Sequence, residues 1–198
     1  MHGNITDQHA LLSFKAGLIS DPFQRTASWN ESIPFCKWVG ITCGRKHRRV
    51  LQINLAASNL QGSLSPAIGN LSFVREIFLH MNSFTGRIPS EIGGLSRLQI
   101  LYLASNSLSR EIPKNISQCR LLKDIQMGSN NFTGKLPVEF QSLSKLQHLN
   151  VYRNKLTGKI PPQYGNLSLH MGDNHISGKI PIEIGQLINL EVLVRVDG

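Results

Sequence analysis

The chain has 198 residues, of which 40% are hydrophobic, and its net charge is +9. This length is enough for one domain with a continuous core. No run of about 18 apolar residues occurs, which excludes a membrane-spanning helix of ordinary length.

The first part of the chain predicts a short polar leader and a helix. Residues 1–5 are predicted to be disordered, and their lack of an apolar core predicts no signal peptide. Thr6 suits a helix N-cap, and Asp7 would favour the helix dipole. Asp21-Pro22 would end the helix. One apolar stripe of this helix, which would cover the open end of the fold, comprises Leu11, Phe14 and Leu18.

The three cysteines need separate interpretations. Cys36 and Cys43 lie seven positions apart, which fits either a disulfide or two reduced thiols. A metal site is not predicted, because no second pair or suitable His spacing completes one. Cys119 occupies a core position of the repeat described below and is expected to be a buried free thiol.

A dense basic run spans residues 45–49. Alone, such a run could indicate a nuclear signal or a nucleic-acid patch. It lies where a solvated loop is expected and contains no aromatic residue for base stacking, so no nucleic-acid partner is predicted. A basic flank that attracts acidic surfaces, such as pectin-like wall polymers, stays open as an alternative.

From Val50 onward the sequence repeats every 24 residues. Counting each start as position 0, apolar residues recur at 0, +3, +5, +10, +14, +18 and +21. The starts are Val50, Val74, Leu98, Leu122 and Leu146. A fixed period of this length predicts a solenoid, in which neighbouring repeats bury the apolar residues that no repeat can bury alone. Such a protein presents a long binding surface.

Two further columns have predicted roles. The +3/+5 alternation predicts strands that stack into a parallel sheet. Asn at +8 would bond turn backbone groups that no sheet partner reaches, in a ladder of Asn82, Asn106, Asn130, Asn154 and Asn174. Strand residues at +4 and +6 would face a ligand, and the candidates are Phe78, His80, Tyr102, Gln126, Asn150, Tyr152 and His170.

The repeat is not uniform. Ser58 replaces Asn at +8 in the first repeat, and Arg110 replaces Gly at +12 in the third. Asn154 and Asn174 are only 20 residues apart, which predicts a distorted repeat with less regular strand pairing around residues 164–171. Residues 194–198 are predicted to be a divergent tail, with no closing cap expected after the last repeat.

The pattern LxxLxLxxNxLxGxIPxxIGxL resembles the plant-type leucine-rich repeat, as in residues 86–95. Residues 6–15, 28–30 and 36–43 resemble the amino-terminal cap of that family. The resemblance implies an α/β solenoid: a right-handed leucine-rich-repeat superhelix with a concave parallel β-sheet and a helical N-terminal cap. It places the cap at 6–49 and the repeats at 50–193, and it implies a Cys36–Cys43 disulfide.

The likeness is greatest to ectodomains of plant leucine-rich-repeat receptor kinases, particularly the subfamily with immune receptors. It implies an extracellular or plasma-membrane location, a peptide or protein ligand and a co-receptor, with membrane attachment and kinase activity outside this chain. No catalytic or cofactor motif occurs, so no enzyme activity, cofactor or metal is predicted. Alternatives are a soluble inhibitor similar to polygalacturonase-inhibiting proteins, or a non-functional truncated product.

Six Asn-x-Ser/Thr sequons agree with a secreted protein. They are Asn4, Asn30, Asn70, Asn115, Asn131 and Asn166. Because such sequons recur with the repeat, they indicate candidate glycosylation sites rather than occupied ones.

Overall fold

The computed structural model describes residues 2–164 and 167–179, with side chains described from residue 5 onward. One helix, α1, is followed by fourteen short strands within these residues. In chain order they are α1 (His2–Ala16), β1 (Leu18–Ser20), β2 (Ile41–Cys43), β3 (Val50–Asn54), β4 (Gln61–Ser63), β5 (Glu76–Phe78), β6 (Ser83–Gly86), β7 (Ile100–Tyr102), β8 (Ser107–Glu111), β9 (Asp124–Gln126), β10 (Asn131–Thr133), β11 (His148–Asn150), β12 (Thr157–Gly158), β13 (Ser168–His170) and β14 (His175–Ile176).

The strands predicted from the +3/+5 alternation form one inner sheet. Its order is β13-β11-β9-β7-β5-β3-β2, and all neighbours are parallel except β2 and β3. Because every repeat enters the sheet in the same register, equivalent residues stand side by side. The row through Ile53, for example, continues through Ile77, Leu101, Ile125, Leu149 and Leu169. The predicted parallel sheet of a leucine-rich-repeat solenoid is confirmed.

A second sheet, which the sequence did not predict, forms where the chain leaves the inner strands. Its order is β1-β4-β6-β8-β10, with β1 antiparallel to β4, and β12 pairs with β14 further along. The outer side of the repeats carries 3₁₀ helices at Pro66–Asn70, Ser90–Gly94, Lys114–Gln118, Val138–Ser142 and Pro162–Tyr164. The chain therefore turns three times per repeat and encloses a narrow apolar core.

The apolar columns fill that core as predicted. The residues at 0, from Val50 to Leu146, are all buried, as are those at +18 from Ile68 to Tyr164. Cys119 is fully buried at +21, and burial raises the pKa of its thiol to about 12, so it stays protonated. Its predicted role as a small core residue is confirmed.

The helical cap differs in its bounds from the prediction. α1 begins at His2, so residues 2–5 are helical rather than disordered, and Thr6 is not an N-cap. It ends at Ala16 rather than at Asp21, because the chain enters β1 beside β4. A Cβ on Gly17 would lie 2.9 Å from the Ser63 carbonyl oxygen, so only glycine fits this close approach.

The cap is held by aromatic packing and by the predicted disulfide. The Trp29 and Trp38 rings stack with centroids 5.5 Å apart, and Phe14 packs on Trp29. Cys36 and Cys43 form a disulfide, with Cα atoms 5.5 Å apart. This crosslink fits an oxidising compartment.

Asp7 serves the cap in a way that the sequence did not suggest. Its carboxylate is fully buried and accepts hydrogen bonds from Arg49 Nε and from the Val50 amide, each at 2.9 Å. A second Arg49 nitrogen lies 2.7 Å from the other carboxylate oxygen. The pair joins α1 to the start of β3, so one residue of the basic run is structural rather than solvated.

Each Asn of the ladder bonds the turn of its own repeat to the turn before it. The Asn106 amide group donates to the Leu79 carbonyl at 3.0 Å and to the Leu103 carbonyl at 3.1 Å. Its oxygen accepts the Phe84 amide at 2.9 Å. The pattern recurs at Asn82, Asn130, Asn154 and Asn174. The carbonyl at +5 is shared by two consecutive Asn side chains, which couples neighbouring repeats.

The two irregular turns have local explanations. Ser58 donates only to the Ala56 carbonyl, and the amides of Ser58 and Leu60 are accepted by Asn82 of the next repeat. Ser58 belongs to the first repeat, so no earlier turn of this kind needs a hydrogen bond from its side chain. Serine therefore suffices at that position. Arg110 has φ +71°, close to the φ of its glycine equivalents, so this turn holds a side chain in the left-handed region.

The prediction of irregular strand pairing around residues 164–171 was wrong for β13. His148, Leu149 and Asn150 pair in regular parallel register with Ser168, Leu169 and His170. Residues 165–166 lie outside the described residues. The lost four residues correspond to 144–147 of the previous repeat, so a core residue equivalent to Leu146 is missing.

Tyr164 makes a buried polar contact in the shortened repeat. It occupies the +18 position, is fully buried, and its hydroxyl donates to the Pro137 carbonyl oxygen at 2.7 Å. Burial raises the pKa of this hydroxyl, so it remains a donor. A buried hydrogen bond thus joins the 3₁₀ helix of the shortened repeat to the preceding repeat.

Replacing Tyr164 with Phe should lower the free energy of unfolding by about 1–2 kcal/mol, because the Pro137 carbonyl would lose a buried donor. Urea unfolding followed by circular dichroism measures the change. Tyr152→Phe serves as the control, since Tyr152 is 40% exposed, and its cost should stay within about 0.5 kcal/mol. Equal effects of both substitutions would show that the Tyr164 hydroxyl has no special role.

Candidate ligand-binding face

The outward face of the inner sheet brings the predicted candidates into two columns. Phe78, Tyr102, Gln126, Asn150 and His170 stand in consecutive strands at +4, in one continuous register. His80 and Tyr152 lie at +6, separated by the small residues Ala104 and Gly128. Because strand residues alternate between faces, these side chains point away from the core.

Three of these side chains form one aromatic cluster. The Phe78 and Tyr102 rings meet edge to face, with centroids 5.2 Å apart and planes at 83°. His80 lies 5.9 Å from Tyr102 and 6.4 Å from Phe78. All three are half-buried, and the His80 Nδ1 atom is buried without a hydrogen-bond partner. We name Phe78, His80 and Tyr102 the aromatic cluster.

A polar network fixes one side of the aromatic cluster. The Tyr102 hydroxyl donates to Asp124 Oδ2 at 2.7 Å, and Gln126 Nε2 donates to Asp124 Oδ1 at 2.7 Å. Burial, together with the Asp124 carboxylate, raises the pKa of Tyr102 to about 12. The Tyr102 ring is therefore held in place with its hydroxyl protonated.

Two acidic residues of this face were missed by the sequence interpretation. Glu76 and Asp124 both lie at +2, where the strand also faces outward. Gln52 donates to Glu76, as Tyr102 and Gln126 do to Asp124. The sequence carries the signal for both residues, because +2 has the same parity as +4 and +6 and strand residues of one parity share a face.

The remaining candidates lie apart from the aromatic cluster. Asn150 and His170 line a small cavity of about 40 Å³ together with Gln126 and His148. Tyr152 is exposed, and a hydrogen bond to Asp173 raises the pKa of its hydroxyl. The structure therefore divides the seven candidates into one preformed cluster and a looser set in the later repeats.

None of the sequons in the described side chains lies on the inner sheet. Asn30 and Asn70 are exposed, in the cap and at the end of a 3₁₀ helix. Asn115 and Asn131 are half-buried, in a 3₁₀ helix and in β10. The side chains of Asn4 and Asn166 lie outside the described residues.

Two other kinds of feature are absent from the described ranges. No three His, Cys, Asp or Glu side chains there come together in a way that could hold a metal ion. The same ranges contain no helix with the length and apolar character needed to cross a bilayer.

Known families match the cap and two segments of the repeat region. Residues 4–44 match the Leucine rich repeat N-terminal domain, and residues 97–119 and 145–167 match the Leucine Rich Repeat. Among curated proteins, the chain is similar to the LRR receptor-like serine/threonine-protein kinase EFR of Arabidopsis thaliana, with 50% identity over 82 residues. That match covers 41% of this chain and 8% of EFR, so the chain spans a small part of this relative's length.

Two solved structures superpose over most of the chain. The PEPR1-AtPEP1 structure has a TM-score of 0.88 and 36% identity, covering 96% of this chain and 28% of that one. The ectodomain of the plant membrane receptor kinase GASSHO1/SCHENGEN3 from Arabidopsis thaliana, in complex with Casparian strip integrity factor 2, has a TM-score of 0.88 and 30% identity. That match covers 94% of this chain and 23% of the GASSHO1/SCHENGEN3 chain.

Proposed function

We propose that this chain, which carries the leucine-rich repeats and N-terminal domain found in plant receptor-like kinases, is an extracellular recognition module whose inner sheet binds a peptide or protein ligand. The parent protein would be a receptor kinase that pairs with a co-receptor, with its kinase and membrane anchor outside this chain. The chain itself would have no enzymatic activity and would require no cofactor.

The aromatic cluster carries this proposal. Its three rings stand on a face that the core does not use, and Asp124 holds Tyr102 in place. Preordered aromatic side chains on a rigid sheet lose little conformational entropy on binding, which makes them suitable anchors for a partner. The adjoining carboxylates of Glu76 and Asp124 would favour a ligand with a nearby donor or cation.

The relatives support the same class of function. EFR is a receptor-like kinase, and GASSHO1/SCHENGEN3 is a membrane receptor kinase whose ectodomain was solved with a bound factor. The Cys36–Cys43 disulfide supports passage through an oxidising compartment, consistent with an extracellular location. The four described sequon side chains lie off the inner sheet, so N-glycans at Asn30, Asn70, Asn115 and Asn131 would leave the proposed face uncovered.

A library of displayed random peptides tests the proposal. Peptides selected on the 198-residue chain should bind Phe78→Ala and Tyr102→Ala variants about tenfold or more weakly, because each substitution removes an anchor. Phe23→Ala is the matched control, since Phe23 is an exposed aromatic residue of the cap, and it should leave the dissociation constant unchanged. Thermal unfolding confirms that each variant is folded.

Selected peptides that bind both cluster variants as tightly as the original chain would overturn the assignment of this face. A loss that appears equally in Phe23→Ala would do the same, because it would reflect general stickiness of exposed aromatic residues.

A further inference from the structure

One edge of the solenoid carries positive charge without any acidic residue. This edge is formed by the turns that lead into the inner strands, at residues 48–51, 72–75, 96–99, 120–123 and 144–147, and we name it the entry edge. None of these positions is Asp or Glu. Its exposed cations are Arg48, Arg75, Arg97, Arg120, Lys123 and Lys145.

Backbone hydrogen bonds arrange these turns in a regular row. The amide of Arg75 donates to the Leu51 carbonyl at 2.8 Å, and that of Gln99 donates to Arg75 at 2.7 Å. In the same way, the amide of Lys123 donates to the Gln99 carbonyl at 2.9 Å, and the amide of Gln147 donates to the Lys123 carbonyl at 2.8 Å. Successive turns are therefore one strand spacing apart, about 4.8 Å, and each of the five supplies at least one basic residue.

The exposed cations other than Arg97, which lies over the Phe73 ring, are available to a partner. In the described part of the chain, the ion pair of the entry edge is that between the half-buried Arg49 and Asp7. Glu76 and Asp124 lie one residue further along, on the inner face, where Gln52, Tyr102 and Gln126 already bond them. The charges of the entry edge therefore add along the row with little local compensation.

The entry edge offers no free aromatic anchor. Its one aromatic ring, Phe73, is covered by the guanidinium groups of Arg49, 4.4 Å from the ring centroid, and of Arg97, at 4.0 Å. Base stacking needs an open aromatic face, and protein interfaces are centred on such anchors. Evenly spaced turns, each with at least one basic residue, instead suit a linear polymer that carries one anionic group per unit.

We propose that the entry edge binds a linear polyuronate, that is, an unbranched sugar chain with a carboxylate on each residue. The chain would lie along the row of turns and exchange its counterions for the Arg and Lys side chains. Such a polymer belongs to the extracellular plant wall, which agrees with the disulfide-bonded cap. This surface is separate from the aromatic cluster, so the two can be occupied independently.

Binding of de-esterified polygalacturonate to the 198-residue chain tests the proposal. A triple variant, Arg75→Glu, Lys123→Glu and Lys145→Glu, should weaken binding about tenfold or more, since it reverses three exposed charges of the row. The matched control is Arg87→Glu, Lys135→Glu and Lys159→Glu, which changes the net charge equally on the opposite edge, near Glu111. It should retain most of the affinity, and thermal unfolding checks both variants.

Three further outcomes decide the matter. Affinity that falls steeply between about 50 and 200 mM salt, and is absent for fully methyl-esterified polygalacturonate, supports a charge-based site. Equal losses in the two triple variants would overturn the proposal, because net charge alone would then explain binding. Single-stranded DNA that binds the entry edge as tightly as polygalacturonate would also overturn it, because the edge would then accept any polyanion.

Discussion

Replacing Asp7 with Asn should lower the free energy of unfolding of the cap by about 3–5 kcal/mol. The carboxylate of Asp7 is fully buried and is shared between Arg49 and the Val50 amide. An amide of the same shape leaves the Arg49 guanidinium half-buried without its counter-charge, and breaking a buried pair from one side has a cost of this size.

Tryptophan fluorescence is the suitable measurement for this variant. Both tryptophans of the chain, Trp29 and Trp38, are buried in the cap, so urea unfolding followed by their emission reports on the cap itself. Adding Arg49→Met to Asp7→Asn should restore part of the lost stability, because the uncompensated charge is then removed.

Glu31→Gln is the matched control, because Glu31 is an exposed carboxylate of the same cap. Its effect should stay within about 0.5 kcal/mol. A cost for Asp7→Asn as small as that of Glu31→Gln would mean that the aromatic packing alone holds α1 on the first repeat.

Replacing Asn130 with Ala should cost about 3 kcal/mol. The Leu108 amide would lose its partner, Asn130 Oδ1, at 3.0 Å. The carbonyls of Leu103 and Met127 would each lose one donor but keep another, from Asn106 and Asn154. One orphaned buried amide and two weakened carbonyls together account for the expected cost.

Ser58→Ala tests whether the stability lost in Asn130→Ala comes from the hydrogen bonds of the Asn ladder. Ser58 occupies the same repeat position and is also buried, but it makes one hydrogen bond, to the Ala56 carbonyl. Its loss should cost about 1 kcal/mol or less. Urea unfolding by circular dichroism compares the two variants, and equal costs would contradict the role given to the shared carbonyls.

The Asn130 variant should also expose how far the repeats are coupled. Hydrogen exchange in β7, β9 and β11 should accelerate first, because the ladder joins each turn to the one before it. Exchange that accelerates equally in the cap would indicate a fully cooperative unit instead.

Part of the candidate site could be predicted from the sequence. Strand parity alone put Phe78, His80 and Tyr102 on the outward face, because alternate side chains of a strand point to opposite sides. That the three rings touch, and that Asp124 bonds Tyr102, depends on the register between strands and on side-chain rotamers. The sequence period gives the register between strands approximately, but it does not give the side-chain rotamers.

The sequence by itself determined the repeating architecture of this protein. The repeats carry the same apolar columns and, after the first repeat, Asn at +8. The inner sheet, the enclosed core and the ladder therefore follow from a local pattern that recurs along the chain. The cap disulfide followed from the resemblance of residues 36–43 to a known cap.

Only the tertiary structure decided the features that depend on one contact rather than on a pattern. Asp7 and Arg49 are 42 residues apart, and nothing in either sequence neighbourhood indicates the pairing. The strands of the second sheet are held by main-chain hydrogen bonds, so no periodic pattern of side chains in the sequence indicates them. The buried hydrogen bond from Tyr164 to the Pro137 carbonyl likewise forms only once the neighbouring repeat is in place, so no local sequence pattern indicates it.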